Sequence, residues 1–264
     1  MNQKIAIIGG GNLGTAIAEG LLKSGFSQPA DIIITKRNTA TLQHLQQQGV
    51  LVTTDNNAAV QQSSIVIIAV KPFQVKEVLQ QLAPGISREK VVISVVTGIF
   101  ISELEEVLQQ PVPLFRAMPN TAIAIQESMT CLSAAHASAE QILLVQNLFS
   151  TLGKVAFIDE KLMDSATVLG ACGTAYAMRY IRANIQGGIE IGFDAATASL
   201  IAAQTVKGAA ELLLQKGTHP EQEIDKVTTP KGCTIAGLNE MEHQGFSSSL
   251  IKGIAASYTK IVKG

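Results

Sequence analysis

Short apolar runs alternate with segments of helical periodicity along the first part of the chain. The apolar runs are rich in β-branched residues and predict strands at 4–8, 31–35, 51–53, 65–70, 91–96, 112–116 and 154–158. Most of them are apolar on both faces, which is typical of buried parallel strands. The intervening segments have one apolar face each, and a capping box at Ser102 and Glu105 indicates where one helix begins. This alternation predicts an α/β fold with a doubly wound parallel sheet covered by helices.

The pattern changes after residue 159, where no long β-branched run recurs and the apolar spacing becomes helical. Asp194 is placed to cap a helix that Gly217 ends, and Ser247 is placed to open the last helix. The segment 195–214 is apolar on nearly every side, so it needs a partner to cover it. We therefore predict two domains, 1–159 with the sheet and an all-α dimerisation domain at 160–264.

Composition and charge limit the kinds of molecule that the chain is expected to bind. The 264 residues are 47% hydrophobic, which is enough for a sizeable core. A net charge of −1 and 4% aromatic residues leave no basic surface or stacking groups, so we expect no nucleic-acid partner. The apolar runs are too short for a membrane span or a secretory leader, so we expect a cytoplasmic protein without membrane contact. Because the three cysteines and four histidines lack pairing or metal-ligand spacing, we expect free thiols and no metal.

A glycine-rich turn follows the first predicted strand. Gly9, Gly11 and Gly14 have GxGxxG spacing, with Asn12 and Leu13 between the last two, and an amphipathic helix follows. In this context the first two glycines let the backbone approach a pyrophosphate, and the third lets helix and strand pack closely. The alternative is a glycine-rich turn that binds nothing.

The end of the second predicted strand favours one dinucleotide over the other. The chain has Thr35-Lys36-Arg37-Asn38 where an NAD enzyme has a carboxylate for the ribose hydroxyl. Two cations and two small polar side chains suit a 2′-phosphate, so we predict NADPH as the cofactor and NADH as the weaker one. The alternative is that Lys36 and Arg37 only keep a loop soluble.

Three further segments have residues suited to ligand binding. Lys71-Pro72 and Met118-Pro119-Asn120 follow predicted strands at the sheet edge where ligands bind, although Lys71 could equally be a solvated side chain. The segment 227–238 contains a Pro-Lys-Gly turn leading into a helix that begins near Thr234. The N–H groups of such a helix start suit a carboxylate, and an ordinary capped helix is the alternative.

Several stretches together carry a family resemblance: 9–14 with 20–22, 55–56, 69–72, 118–121, 203–205 with 208–210, and 227–238. Through them the chain resembles the pyrroline-5-carboxylate reductases, which catalyse the last step of proline synthesis. The resemblance covers nearly the full length and implies a Rossmann-like NADP-binding domain and a helical domain for dimerisation and substrate binding. It also implies an active site shared across the dimer, and family members commonly assemble into decamers.

The resemblance assigns roles residue by residue. Thr234 meets the ring nitrogen of the substrate as the catalytic residue, and the backbone amides of Gly232, Cys233 and Thr234 hold its carboxylate. The predicted cofactor-binding residues are Gly9, Gly11, Asn12, Leu13, Gly14, Thr35, Lys36, Arg37, Asn56, Ala69, Val70, Lys71, Pro72, Met118, Pro119 and Asn120. A protonated cyclic imine already accepts hydride readily, so orientation rather than a strong general acid is required of the protein.

The chain also departs from the family pattern. Residues 170–176 read Gly-Ala-Cys-Gly-Thr-Ala-Tyr where the family usually has Ser-Gly-Ser-Gly-Pro-Ala-Tyr, and Arg179, Arg182 and Lys231 are added cations. The predicted function is NADPH-dependent reduction of 1-pyrroline-5-carboxylate, an imine carboxylate, to L-proline by a homo-oligomer. The alternatives are a reductase of a related cyclic imine or of a more anionic substrate, and a cofactor-binding regulator without catalysis. The added cations could equally form salt bridges on a surface or an interface.

Overall fold

A computed structural model of the chain describes residues 3–263, so residues 1, 2 and 264 of the predicted domains lie outside the described part. The chain divides into two compact units after Ala171. Residues 160–171 therefore belong to the first unit, and the domain boundary after residue 159 stays a prediction.

The first unit is built on one sheet of eight strands, whose order is β3-β2-β1-β4-β5-β6-β7-β8. Strands β1 to β6 run parallel, β7 is antiparallel to β6, and β8 is parallel to β7. Because β1 lies between β2 and β4, the chain reverses its direction of winding beside β1. The strands are β1 (Ile5–Ile8), β2 (Ile32–Thr35), β3 (Leu51–Thr53), β4 (Ile65–Ile68), β5 (Val91–Ser94), β6 (Leu114–Met118), β7 (Ser128–Ala135) and β8 (Gly153–Phe157).

The doubly wound sheet and all the predicted strands are confirmed, with three corrections. The strand predicted at 112–116 lies two residues later, at Leu114–Met118. The runs 65–70 and 91–96 leave the sheet early, at Ile68 and Ser94, because the chain turns away at the carboxyl edge. Strand β7 was not predicted, since its small and polar residues lack a β-branched run. It forms because the exposed edge of β6 offers a complete ladder from Leu114 to Met118, and it makes one pairing of the sheet antiparallel.

Helices cover both faces of the sheet and enclose two cores. Helix α1 and helix α6 pack on one face through residues such as Ile17, Leu21 and Phe149. On the other face, Leu79 and Leu104 belong to the second core. The helices of this unit are α1 (Asn12–Ser24), α2 (Gln43–Gln47), α3 (Asn56–Gln61), α4 (Val75–Leu82), α5 (Ile101–Leu108), α6 (Ala139–Ser150) and α7 (Met163–Ala166), and a π-helical segment follows at Thr167–Cys172.

The capping box expected at Ser102 and Glu105 is wrong by two residues. Helix α5 begins at Ile101, and Glu103 Oε2 accepts a hydrogen bond of 2.7 Å from the N–H of Phe100. Glu105 instead lies 2.7 Å from His136 Nε2. The error arises because a glutamate two residues earlier fits the same role.

The second unit is all α, as predicted. Asp194 Oδ1 accepts from the N–H groups of Ala196 and Thr197, so it caps the long helix, and Gly217 ends that helix in the left-handed conformation. The last helix begins at Phe246, one residue before the predicted Ser247. The helices are α8 (Gly173–Glu190), α9 (Ala195–Lys216), α10 (Pro220–Lys226), α11 (Cys233–His243) and α12 (Phe246–Val262). In the described part of the chain, no helix combines the length and apolar character that a membrane crossing requires.

Helix α9 is largely uncovered within a single chain, although its sequence is apolar around its circumference. Only Ala198 and Ala202 of this helix are buried, while Leu200 is 71% and Leu214 is 68% exposed. Side chains of this size are rarely left in water as a continuous surface, so a partner is required to cover them.

Candidate functional site

The glycine-rich turn joins β1 to α1 at the carboxyl edge of the sheet. Gly9 has a φ of +112°, and a Cβ built there would lie 2.6 Å from the Ala69 carbonyl oxygen, so only glycine fits. A Cβ on Gly14 would collide with the carbonyl oxygen of Gly9. A Cβ on Gly11, by contrast, would have no protein atom within 4 Å. The turn is therefore packed against protein at Gly9 and Gly14 and open to a ligand at Gly11.

Strand β2 holds this turn in place through Thr35. The N–H of Gly10 donates to the Thr35 carbonyl oxygen at 2.6 Å, and the N–H of Gly9 donates to Thr35 Oγ1 at 3.3 Å. The Thr35 side chain is buried, so its hydroxyl supports the turn. The two residues that follow, Lys36 and Arg37, come directly after this anchored position.

A cleft of about 900 Å³ opens over the turn. The carboxyl ends of β1 to β5 all contribute to it, and helix α4 forms one wall. Of the residues predicted to bind the cofactor, it contains Gly9, Gly11, Asn12, Leu13, Thr35, Lys36, Arg37, Asn56, Ala69, Val70, Lys71 and Pro72. This volume lies in the range of small-molecule sites, and the position is where open α/β sheets bind nucleotides.

The lining of the cleft fits a dinucleotide with phosphate groups. It contains three cations, Lys36, Arg37 and Lys71, against one carboxylate, Glu77. In the described residues, no side chain caps helix α1 and no acidic residue lies in its first turn, so the positive end of its dipole is uncompensated. The opening beside Gly11 leads to this helix start. Backbone N–H groups and cations are therefore available where a pyrophosphate and a further phosphate would lie.

Four of the predicted cofactor residues do not line the cleft. Gly14 is packed under the turn, and Met118 and Pro119 are buried at the end of β6. Asn120 is half-buried and engaged by the protein: its Oδ1 accepts from the N–H of Ala122 at 3.0 Å, and its Nδ2 donates to the Gly170 carbonyl oxygen at 3.2 Å. The roles of these four residues toward a nicotinamide stay predictions.

Cys131 lies directly opposite Met118 in the antiparallel ladder. Burial raises the pKa of its thiol, so it is neutral at physiological pH and adds no charge beside the end of β6.

The sequence did not single out part of the cleft lining. Val95, Val96 and Thr97 contribute because β5 lies next to β4, and the parallel strand order itself would have indicated their position. Glu77 and Gln81 contribute from the side of α4 away from its buried residues, and the partly buried Val78 contributes from the border of the second core. The remaining unpredicted lining residues are Gly10, Thr54 and Gln74, while Asn38, which the sequence placed beside the cations, also lines the cleft.

The predicted carboxylate site lies in the second unit. Helix α11 begins at Cys233, and Gly232 precedes it in an extended conformation with its N–H bonded to the Thr229 carbonyl oxygen at 2.9 Å. A Cβ on Gly232 would lie 2.5 Å from Thr229 Oγ1 and 3.0 Å from the Thr229 carbonyl oxygen, so a side chain there would displace Thr229. Among the described residues no side chain caps this helix, its first turn has no acidic residue, and Thr234 is exposed. The first N–H groups of the helix, at Cys233 and Thr234, are therefore available for an anion, whereas the N–H of Gly232, predicted to join them, is already bonded to Thr229.

Both parts of the chain match known family models. Residues 160–263 match the model described as pyrroline-5-carboxylate reductase dimerisation, and residues 4–98 match that of the coenzyme F420-dependent NADP oxidoreductases. Pyrroline-5-carboxylate reductase 2 of Dictyostelium discoideum is 46% identical over 278 residues, covering 99% of this chain and 93% of the relative. This chain belongs to the pyrroline-5-carboxylate reductase family.

Further members of the pyrroline-5-carboxylate reductase family agree in sequence and fold. Pyrroline-5-carboxylate reductase 1 of the same organism is 47% identical over 97% of this chain, although the chain spans only 49% of that relative's length. The crystal structure of Plasmodium falciparum pyrroline carboxylate reductase with NADP bound has a TM-score of 0.90 at 25% identity, covering 98% of this chain and 97% of that one. The Coxiella burnetii pyrroline-5-carboxylate reductase has the same TM-score at 28% identity, covering 100% and 98%.

The difference between Gly11 and Gly14 leads to a matched pair of variants. Gly11→Ala adds a methyl group in open space, so we expect unfolding free energy within about 0.5 kcal/mol of the original. NADPH affinity should fall roughly tenfold or more, because the methyl group stands where the pyrophosphate approaches. Gly14→Ala should instead lower stability by about 2 kcal/mol, because its methyl group meets backbone. Denaturant unfolding measures the stability of each variant, and fluorescence titration measures its NADPH affinity. Unchanged affinity in Gly11→Ala would contradict the approach of the pyrophosphate to Gly11.

Proposed function

We propose that the chain reduces 1-pyrroline-5-carboxylate to L-proline with NADPH as the hydride donor. The observation that carries the proposal is the match to a pyrroline-5-carboxylate reductase over 99% of the chain at 46% identity. The cleft with its glycine turn and cations, and the uncapped helix α11, supply the two kinds of anion site that such a reaction needs.

The residues of the cleft bind and orient the cofactor. The N–H groups at the start of α1 receive the pyrophosphate, and Lys36 and Arg37 receive the 2′-phosphate. Neither cation has an ion-pair partner among the described residues, so both charges are available to a ligand. When bound, NADPH supplies a hydride to the carbon of the substrate's C=N bond.

The start of α11 binds and orients the substrate. Its free N–H groups at Cys233 and Thr234, following Gly232, hold the carboxylate of the imine, and the Thr234 hydroxyl accepts from the protonated ring nitrogen. The nitrogen keeps that proton when the carbon receives the hydride, so the product is a secondary amine. Orientation of an already activated electrophile therefore supplies most of the rate enhancement.

A second candidate is the same reaction on a more anionic cyclic imine. Arg179 and Arg182 are exposed on α8 and have no ion-pair partner among the described residues, and Lys231 precedes the turn at Gly232. These charges would favour a substrate with a second carboxylate.

We further propose that residues 160–263 form the dimer and that dimers assemble further, to a decamer. The uncovered apolar surface of α9 supports the first step. Cytoplasmic location is proposed with it, and the unpaired Cys131, Cys172 and Cys233 are in keeping with a reducing compartment. Light scattering measures the mass, and a mass of one 27.9 kDa chain would contradict both assemblies.

The function is tested by following NADPH oxidation with 1-pyrroline-5-carboxylate and a panel of cyclic imines. The panel should include a dicarboxylate analogue and an imine without a carboxylate. We expect the highest kcat/KM with 1-pyrroline-5-carboxylate and little turnover without the carboxylate. A higher value with the dicarboxylate would select the second candidate, and binding of NADPH without any turnover would indicate a regulator.

Cofactor selectivity is tested by Arg37→Ala. Losing one charge-assisted contact to a phosphate costs about 1.5–3 kcal/mol, so KM for NADPH should rise roughly tenfold to a hundredfold. KM for NADH should change by less than about twofold, because NADH has no 2′-phosphate. Lys154→Ala is the matched control, since Lys154 is an exposed cation on β8 outside the cleft. Equal effects on both cofactors would reject this role of Arg37.

The role of Thr234 is tested by Thr234→Ala with Thr234→Ser as its control. Without the hydroxyl the substrate ring is held less firmly, so kcat/KM for the imine should fall about tenfold or more. Serine keeps the hydroxyl and should retain most of the activity. NADPH affinity should be the same in both variants, and kinetics like those of the unmodified enzyme in Thr234→Ala would remove Thr234 from the site.

A further inference from the structure

Three buried polar atoms have no hydrogen-bond partner within residues 3–263: Arg116 Nη2, Ser133 Oγ and Asp164 Oδ1. Buried polar atoms are almost always paired, so such atoms need an explanation. None of the three residues lines the cleft, and none was singled out from the sequence. They lie outside the groups to which the proposed reaction assigns a role.

Arg116, Ser133 and Glu160 form one cluster, and Asp164 lies beyond Glu160 in the chain. Arg116 on β6 and Ser133 on β7 are direct partners in the antiparallel register, so their side chains are on the same face of the sheet. Arg116 Nη1 donates to Glu160 Oε1 at 3.1 Å. Asp164 follows Glu160 by one helical turn, on α7, which packs against β7. The guanidinium is therefore paired with the Glu160 carboxylate, on the sheet face that also has the Ser133 side chain.

The environment of Arg116 is costly to form. Its side chain is 1% exposed, and its guanidinium carbon lies 4.9 Å from the centre of the Phe100 ring. The ion pair recovers only part of the hydration that Arg116 loses, because the Glu160 side chain is 27% exposed and its charge remains partly screened by water. The cluster therefore calls for a function other than stability.

The cluster lies next to the predicted nicotinamide end of the site. Arg116 is on the same face of β6 as Met118, two residues before the turn of Pro119 and Asn120. The segment 160–171 is bonded to β6 through Glu160 and to the turn after β6 through the Gly170 carbonyl oxygen, which accepts from Asn120. Glu160 Oε1 also accepts from the N–H of Ile101 at 2.7 Å. A single carboxylate thus links β6, α5 and the segment that leads into the second unit.

We propose that Arg116, held by Glu160, is a positioning residue for hydride transfer that sets the place of the Met118–Asn120 turn. The proposal rests on the reductase function proposed above. Arg116 acts through that turn and contacts neither substrate nor cofactor. Its guanidinium can only donate, so the Glu160 carboxylate is a suitable partner to fix its position.

The test separates positioning from stability with an apolar double variant, Arg116→Met with Glu160→Met. Replacing both ions by apolar side chains of similar volume should keep the thermal midpoint near that of the original. We expect kcat to fall at least tenfold with KM for NADPH changed by less than about threefold, because a small misplacement of the reacting groups slows the chemical step more than binding. A single-turnover measurement with NADPH deuterated at the transferred position should show a larger isotope effect.

Two single variants keep the test decisive if the double variant does not fold. Arg116→Lys keeps the charge but loses the planar guanidinium that lies over the Phe100 ring while it is bonded to Glu160, so it should show the same fall in kcat. Glu160→Gln keeps an oxygen acceptor for Arg116 and Ile101, so it should retain most of the kcat of the unmodified enzyme. Glu105→Gln is the matched control, because it removes an exposed partner of His136 on the same unit and should leave kcat unchanged.

The outcomes distinguish this proposal from the reductase function itself. If the unmodified enzyme does not turn over 1-pyrroline-5-carboxylate or any related imine, the reductase function fails. If the unmodified enzyme is active and either the folded double variant or Arg116→Lys has a kcat within about twofold of it, the positioning role is overturned. If kcat falls in both variants only in proportion to the loss of folded protein, the cluster has a structural role, and the positioning proposal is also overturned.

Discussion

Helix α1 begins in close contact with the end of the strand that precedes it, and the geometry of the cleft over the glycine-rich turn depends on this contact. Gly14 leaves no room for a Cβ against the Gly9 carbonyl oxygen, and Gly9 leaves none against Ala69. The helix start is thereby fixed over the carboxyl edge of the sheet, with its N–H groups directed at one place. A side chain at either position would move the whole turn, whereas Gly11 faces open space.

The same contact sets the positions of the charges. The turn is bonded to Thr35 at the end of β2, and Lys36 is bonded through its N–H to the Thr53 carbonyl oxygen of β3. The cation pair is therefore placed by the backbone ladder rather than by the length of its own side chains. A chain of net charge −1 can in this way present a local excess of three cations over one carboxylate in the cleft.

The elements that could be predicted from the sequence are those whose own residues are sufficient to specify a strand, a helix or a turn. Buried parallel strands need apolar side chains on both faces, so the runs such as 65–70 indicated them, and the glycine spacing indicated the turn. Strand β7 could not be predicted because its residues favour no strand until the edge of β6 is present. Val95 to Thr97 depend likewise on strand order. Arg116 and Glu160 are 44 residues apart, and no local pattern relates them.

The second unit shows the opposite mismatch: Arg116 is a charged side chain that is buried, whereas α9 has apolar side chains that are exposed. A helix such as α9 loses stabilisation at about 25 cal/mol for each Å² of apolar surface left in water, and Leu200 and Leu214 are both more than two-thirds exposed. Burial of these side chains favours association with a partner. It does not specify the orientation of that partner, because hydrophobic contact is non-directional. Directional hydrogen bonds have a different effect within the first unit, where Glu160 is bonded to Arg116 and the Gly170 carbonyl oxygen to Asn120. Apolar burial thus supplies free energy without direction, whereas such polar contacts fix the positions of the groups that they join.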